Sequence, residues 1–502
     1  MFSNSKPIQD LLALSAELTH LEGAAEVLAW DQETYMPPKG GSTRAFQLST
    51  LSGIYHEKLT QGKVGLLLQK AKKAAKTSHD KALVRRLEKE YQKATKLPKA
   101  LVKEITEMQS RATQSWRKAK EKSDFSLFEK DLEKLLSLQL KAAKLLQKKS
   151  QTLYDVFLDD FEPDMTETEV QKIFDHLKPK LVALAAKLTK TTRDAPKILE
   201  GKTFPIAGQK EFGQEVMKRM GFDFEAGRQD LSAHPFTCYF GSVGDVRITT
   251  HEDEKDFQNP LFATVHESGH ALYYQGNHQS LIHSHVYGSA SLGMSESQSR
   301  FWENTIARSL PFWQYHYPLF QAHFPDQVGM VSLSDFVKAV NTVRPSFIRT
   351  EADEVTYGLH IILRFDIERE LLSGKIKVKD LPKAWNAKMS SMLGINPGSD
   401  REGVLQDIHW SHGSFGYFPT YLLGNLIAAQ LWFTLKKEMP TAEKDIAAGK
   451  LLPIRHWLKE KIHQQGKLYT TPELVKKVTG EPLNPDYFIK YLEEKFAALY
   501  SQ

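Results

Sequence analysis

Apolar residues recur at helical spacing along most of the chain. Leu11, Leu14, Leu18 and Leu21 fall on one face of an opening helix. Pro37-Pro38 and Gly40-Gly41 break that pattern before another helical segment near 44–59. Residues 80–152 are dominated by Ala, Leu, Lys, Glu and Gln, with no glycine and Pro98 as the only proline. That composition predicts long helices with a boundary at Pro98. Thr166 and Glu169 have the spacing of a capping box and open a further helix. The pattern changes over 196–250, where glycines, prolines and aromatics predict loops and Val246-Arg247-Ile248-Thr249 alternates like a short strand. A second extended segment is expected at 283–288. Helical patterning returns after 295 and across 349–371. A loop-rich block covers 394–420, an apolar helix follows from about 421 to 436, and Asn484-Pro485 reads as an N-cap followed by a first-turn proline. No internal repeat is present. The expected fold is predominantly helical around a small strand-containing core.

Composition narrows the class without choosing a function. The 502 residues are 41% hydrophobic and 25% charged, which suits a large globular core. With 67 basic and 61 acidic side chains the net charge is only +6, and the lysine-rich stretches 85–96 and 141–149 read as solvated helix faces rather than nucleic-acid contacts. No apolar run is long enough to span a membrane and the N-terminus lacks a signal-peptide pattern, so the expected location is cytoplasmic. The single cysteine excludes an intrachain disulfide. Cys238 lies among Phe236, Thr237 and Tyr239 and reads as a small buried residue, not a nucleophile.

The sharpest chemical signal is His266-Glu267-Ser268-Gly269-His270, set in a proline-free stretch from Leu261 to Tyr274. Residues four apart share one helix face, so both imidazoles reach a common metal ion and Glu267 reaches water at the same place. This is the H-E-x-x-H arrangement of zinc-dependent peptide hydrolysis. Downstream, Glu296 is a candidate third ligand, returned by a second helix after a connection. Glu303 and neighbouring polar residues compete for that role. Two imidazoles and one carboxylate suit zinc. Arg300, one turn beyond Glu296, either orients that carboxylate or makes an ordinary helix-surface ion pair.

In such chemistry the metal lowers the pKa of water and polarises the scissile carbonyl. Glu267 takes a proton from the attacking water and returns one to the departing amine. Charge developing on the carbonyl oxygen calls for a hydrogen-bond donor, and His409 and Tyr417 in the loop-rich block are candidates. The plainer readings are a loop hydrogen bond for His409 and core packing for Tyr417. Recognition of a free chain end calls for a guanidinium. Arg247 and Arg349 are candidates, and either equally pairs with Asp245 or Asp353 for structural reasons. Residue types alone do not separate an end-recognising peptidase from an endopeptidase. A helical scaffold or binding protein, stabilised by a structural metal or holding none, is the non-enzyme alternative; Glu267 argues against it.

Several segments occur in one order: His234-Pro235-Phe236, Asp245-Val246-Arg247-Ile248-Thr249, the 266–270 motif, Glu296-Ser297-Gln298-Ser299, Ile348-Arg349 through Ala352-Asp353 with Tyr357 and His360, Asp407-Ile408-His409-Trp410, and Phe415-Gly416-Tyr417-Phe418-Pro419. Together they resemble the Taq-type metallocarboxypeptidases known as the thermostable carboxypeptidase 1 family. Trp30-Asp31-Gln32-Glu33-Thr34-Tyr35-Met36-Pro37 and the helical ends extend the resemblance over almost the whole chain. It implies a mainly α, gluzincin-like helical metallopeptidase with a long active-site groove and a small antiparallel β-sheet. Residues 1–502 would form a single catalytic unit, with about 1–195 as an N-terminal helical wall and about 196–502 as the metal-containing region.

The same resemblance implies His266, His270 and Glu296 as ligands of one divalent ion per subunit, zinc with cobalt as an alternative, and Glu267 as general base. His234 and Arg247 would narrow one end of the groove. Arg247 or Arg349 would hold the substrate carboxylate, His409 and Tyr417 would make substrate or oxyanion contacts, and Arg300 and Asp353 would support their neighbours. The implied activity is release of single C-terminal amino acids, with fairly broad specificity, from peptides with a free C-terminal carboxylate. The implied state is a homodimer that binds neither nucleic acid nor membrane. A zinc oligopeptidase or dipeptidyl carboxypeptidase is the nearest alternative. Ser295 departs from the pattern, since many relatives have histidine immediately before the ligand glutamate; the ligand is unaffected but a neighbouring contact differs.

Overall fold

In the computed structural model, which describes residues 1–500, the leucine stripe lies on α1 (Lys6–Thr34), with Leu11 and Leu18 fully buried and Leu14 and Leu21 half-buried. After the Pro/Gly break come α2 (Gly41–Thr60), α3 (Gly62–Ala74) and α4 (Ser78–Lys96). Leu11 and Leu18 share an apolar cluster with Leu59, Leu68, Leu83 and Leu87 from these helices. Burial of each such side chain contributes about 1.5–3 kcal/mol, which outweighs the modest propensity of any single turn. Pro98 separates α4 from α5 (Lys99–Lys122), which is followed by α6 (Ser126–Leu146), α7 (Leu153–Leu158) and α8 (Glu167–Thr191). The capping box opens α8 as its spacing predicts: Glu169 N donates to the Thr166 hydroxyl at 3.3 Å and Thr166 N donates to Glu169 Oε2 at 2.9 Å.

The chain folds into two compact units, each assembled from separated segments. The first comprises Met1–Thr95, Lys197–Val340 and Leu431–Pro482. It contains α9 (Ile206–Met220), β1 (Gly227–Leu231), β2 (Thr237–Tyr239) and β3 (Val246–Thr250), in the sheet order β1-β3-β2. β2 pairs antiparallel with β3, placing Thr237 opposite Ile248, whereas β1 runs parallel to β3 with Gly227 opposite Val246. The sheet is therefore mixed and not wholly antiparallel. The cause is the connection after β1, which wraps the end of β3 and returns on its far side. Ser232 N donates to Thr250 O at 2.9 Å, and Phe236 N donates to the Thr249 hydroxyl at 2.9 Å.

α10 (Gln258–Gln275) lies against this sheet, tied to it by Gln229 Nε2 donating to the Thr264 hydroxyl at 2.9 Å. Residues 283–288, expected to be extended, form turns instead, with His283 at φ 61°. Side chains capture the backbone there: His285 N donates to the Ser15 hydroxyl and the Ser284 hydroxyl donates to Leu281 O, which replaces ladder bonding. α11 (Leu292–Arg300) begins earlier than the helical patterning suggests, capped by Ser291, and continues into a π-helix over Phe301–Ala307.

The second unit comprises Lys96–Pro196, Asn341–Gln430 and the segment from Leu483 onward. Its central helix, Tyr357–Leu372, is buried nearly all round and carries the fully buried Arg364 and Glu368. The expected start of the last helix is present: Asp486 N donates to Asn484 Oδ1 at 3.0 Å. No helix among the described residues is long and apolar enough to cross a membrane.

Candidate active site

The i,i+4 spacing on α10 places His266 and His270 on one face, their rings 4.9 Å apart. Glu296 arrives from α11. Its Oε2 is 3.6 Å from His266 Nε2 and 3.6 Å from His270 Nε2, and one donor atom from each residue lies within 4.8 Å of the others. The close approach of the two helices depends on Gly269. A Cβ there would meet Ser299 Cα at 2.6 Å and Gln298 O at 2.8 Å, so any side chain would push α11 away. The second residue between Glu267 and His270 is thus part of how the third ligand reaches the site.

The imidazoles are held from behind. His266 Nδ1 is 2.9 Å from Glu303 Oε2, and His270 Nδ1 is 2.9 Å from the Ser295 hydroxyl, which is itself 3.2 Å from the Tyr274 hydroxyl. With Nδ1 engaged on both rings, each Nε2 is turned toward Glu296, the arrangement of metal-ligating histidines. Arg300 Nε donates to Glu296 Oε1 at 2.7 Å and Nη1 donates to Glu303 Oε2 at 3.0 Å, so Arg300 orients the ligand carboxylate. Burial alone would raise the Glu296 carboxyl, but Arg300 and His266 outweigh it and hold the group well below the usual carboxylate range. Burial would lower His266, yet Glu296 and Glu303 lift it to about 10. The pocket demands positive charge, and two imidazoles with one ionised carboxylate fit a divalent ion of the zinc type.

Glu267 is positioned by the sheet. Glu267 is 8% exposed, and the Thr237 hydroxyl at the start of β2 lies 2.6 Å from its Oε2 and 3.0 Å from its main-chain oxygen. Thr237, Ser295 and Tyr274 are functional neighbours that sequence reasoning did not assign to these roles. Glu303, there only a competitor of Glu296, supports His266. A signal for Glu303 existed in its spacing from Glu296, two helical turns on one face, but Thr237 touches Glu267 only through the sheet.

Other candidates in the first unit have structural partners. Arg247 makes a forked pair with Asp245, Nε to Oδ1 and Nη2 to Oδ2 at 2.8 Å each, and its guanidinium lies over Trp30 and Phe240 at 4.4 and 4.8 Å. His234 is exposed on the turn between β1 and β2, where its carbonyl accepts from the Ser232 hydroxyl at 2.7 Å. Cys238 is buried, and burial pushes its thiol up to about 12, which makes it inert.

The remaining candidates belong to the second unit. Arg349 pairs with Asp407, not with Asp353: its Nε and Nη2 donate to Asp407 Oδ1 at 3.0 and 2.9 Å, and Nη1 donates to the Tyr357 hydroxyl at 3.0 Å. Arg364 Nε donates to Asp407 Oδ2 at 2.7 Å. Asp353 instead caps the turn before the central helix, accepting from Val355 N, Thr356 N and Arg344 N. His409 Nε2 is 3.3 Å from the Tyr421 hydroxyl, and its ring lies 5.0 Å from that of Tyr417. Burial pushes His409 down to about 4, so it is a neutral imidazole at physiological pH. Tyr417 packs on Phe161 with ring centroids 4.8 Å apart.

An H-E-x-x-H helix beside a small sheet, with a glutamate ligand on the next helix, defines a gluzincin-like helical metallopeptidase. Residues 10–496 match the carboxypeptidase Taq (M32) metallopeptidase family. Thermostable carboxypeptidase 1 of Pyrococcus furiosus is 40% identical over 501 residues, covering 99% of both chains. Carboxypeptidase 1 of Bacillus subtilis is 38% identical over 494 residues, covering 98% of both. A solved structure of Pyrococcus furiosus carboxypeptidase superimposes with a TM-score of 0.94 at 39% identity, covering 99% of this chain and 100% of that one. The chain belongs to the carboxypeptidase Taq (M32) family. It is a metal-dependent carboxypeptidase with a site for one divalent ion of the zinc type.

Proposed function

We propose that the chain removes single residues, with fairly broad preference, from the free C-terminal ends of peptides. The observation that carries this reading is the convergence of His266, His270 and Glu296 beside Glu267, a carboxylate that a purely structural metal site does not need. When bound, the metal polarises the scissile carbonyl and makes water more acidic. Glu267 accepts the proton of the attacking water and delivers it to the departing amine, while Thr237 holds the carboxylate in place. His409 and Tyr417 are assigned to substrate contacts. The neutral state of His409 makes it a hydrogen-bonding group, not a counter-charge. Arg247 or Arg349 is assigned to the terminal carboxylate; each guanidinium keeps N–H groups beyond its carboxylate pair. His234 is assigned to the substrate-facing rim.

Residues 1–502 are proposed to act as one catalytic unit in a cytoplasmic homodimer. The family resemblance and the single cysteine support this reading. Light scattering on the purified protein tests the dimer, and cell fractionation tests the location.

The deciding experiment follows peptides with free and amidated C-termini by mass spectrometry, using metal-loaded protein and Glu267→Gln. Single-residue release from free ends alone, lost in the variant, is expected. Dipeptide release or internal cleavage would replace this reading with a dipeptidyl carboxypeptidase or an oligopeptidase. Repeating the assay with Arg247→Lys and Arg349→Lys assigns the carboxylate contact to whichever variant loses the preference for free ends.

A further inference from the structure

The first unit contains a second set of metal-type donors, distinct from His266, His270 and Glu296. Glu22 on α1, Glu90 on α4 and His285 in the turns at 283–288 bring two carboxylate oxygens and one imidazole nitrogen within 4.8 Å of one another. They line a cavity of about 580 Å³ whose wall also includes Tyr55, Arg86 and Lys467.

The imidazole is held in the manner of a ligand. His285 N donates to the Ser15 hydroxyl at 2.9 Å, and His285 Nδ1 lies 2.7 Å from the same oxygen. The ring is thereby fixed with Nε2 toward the acids, 3.4 Å from Glu90 Oε2 and 3.2 Å from the Tyr55 hydroxyl. Fixing the far nitrogen of a histidine is how proteins orient the near one toward a metal. His285 is only 8% exposed, and burial together with Lys467 pushes it down to about 3, so it offers a lone pair and no charge at neutral pH.

The two carboxylates face each other across the cavity, with Lys467 and Arg86 on the same wall. Lys467 acts on both carboxylates, and the Tyr55 hydroxyl donates to Glu90. The facing Glu90 raises Glu22, and burial pushes Glu90 up. Lys467 and Arg86 are the cations of this wall, and Lys467 is itself pushed down to about 8 by burial and by Arg86.

We propose that Glu22, Glu90 and His285 bind a second divalent transition-metal ion, separate from the hydrolytic one. One imidazole with two carboxylates suits zinc, cobalt or manganese. Calcium needs six or more oxygen ligands and magnesium a near-ideal octahedron, which this set does not supply. The three donors come from three segments that share the apolar cluster around Leu11, Leu83 and Val286, so an ion there would also tie those segments together.

The test uses the full chain stripped of metal and titrated with Co²⁺ near pH 8, with bound metal counted after equilibrium dialysis. The wild type is expected to bind two ions. Glu22→Gln and Glu90→Gln are expected to bind one ion, the one held by His266, His270 and Glu296. Glu296→Gln is expected to lose the other ion and keep this one. Glu22 reaches the open cavity, so its substitution by glutamine leaves the packing intact; an unchanged thermal midpoint of the metal-free variant checks this. Anomalous diffraction from cobalt-loaded crystals gives an independent readout, with a peak expected between Glu22, Glu90 and His285. Saturation of the wild type at one ion, two ions retained by both glutamine variants, or no such peak overturns the proposal.

Discussion

Thr237 donates its hydroxyl to Glu267, with Oγ1 2.6 Å from Oε2 of that carboxylate. The threonine opens the edge strand β2, whose pairing with β3 fixes it opposite Ile248. A sheet residue therefore sets the rotamer of a helix residue.

Replacing that hydroxyl should reduce the chemical step without disturbing binding. A hydrogen bond to a charged group contributes about 1.5–3 kcal/mol, so Thr237→Val should lower kcat roughly ten- to a hundredfold. KM and metal content should stay near wild type, and Thr237→Ser should restore most of the rate. Steady-state kinetics with metal analysis checks this; an equal loss in the serine variant would point to packing instead.

Glu303 and Ser295 should control metal affinity more than the architecture of the site. Each engages the Nδ1 side of one ligand histidine at 2.9 Å. Removing such a partner costs about ten- to a hundredfold in affinity. Glu303→Gln and Ser295→Ala should therefore release metal to a chelator at lower chelator concentration than the wild type. Glu303→Gln should have the larger effect, since it removes a charge that also meets Arg300.

Gly269→Ala should separate α10 from α11. The added methyl would lie 2.6 Å from the backbone of Ser299, which cannot give way as a flexible side chain does. Overpacking of this kind costs about 1–3 kcal/mol. A lower thermal midpoint together with weaker metal binding is expected, because Glu296 is carried by the displaced helix. An unchanged midpoint would mean that the interface has room the geometry does not show.

Glu368 should make stability fall as pH rises. It is fully buried and accepts from Trp410 Nε1 at 2.9 Å, from the Tyr154 hydroxyl at 3.0 Å and from Gly416 N at 3.0 Å. Burial outweighs those donors and pushes its carboxyl up to about 7. The folded state then binds a proton more tightly than the unfolded chain. The associated stability is fully present below the ordinary carboxyl pKa of about 4.3 and is lost as pH rises through about 7, a change on the order of 3–4 kcal/mol. Urea unfolding at pH 5 and pH 8 should show this loss. Glu368→Gln should flatten the profile while lowering stability at pH 5, where the amide cannot satisfy all three donors.

Helix positions and the ligand pair were readable because they depend on short-range geometry. The leucine stripe of α1, the Thr166 capping box and the His266–His270 spacing each involve residues within one or two turns. The link from Arg300 to Glu296 belongs to the same class. Longer-range partnerships were not readable. Arg349 had Asp353 as a sequence neighbour but pairs with Asp407, while Asp353 caps a helix. The small sheet is mixed because residues 232–236 wrap the end of β3, a path that alternation within single strands does not encode.

By itself, the sequence determined the metal-binding motif and most of the helical framework, since regular backbone geometry converts spacing directly into shared faces. Only the tertiary structure decided that Thr237 holds Glu267, that Gly269 admits α11, and that Ser295 and Glu303 lock the two imidazoles. Those contacts join segments far apart in the chain, and their geometry accumulates from every intervening torsion. No local pattern records that sum.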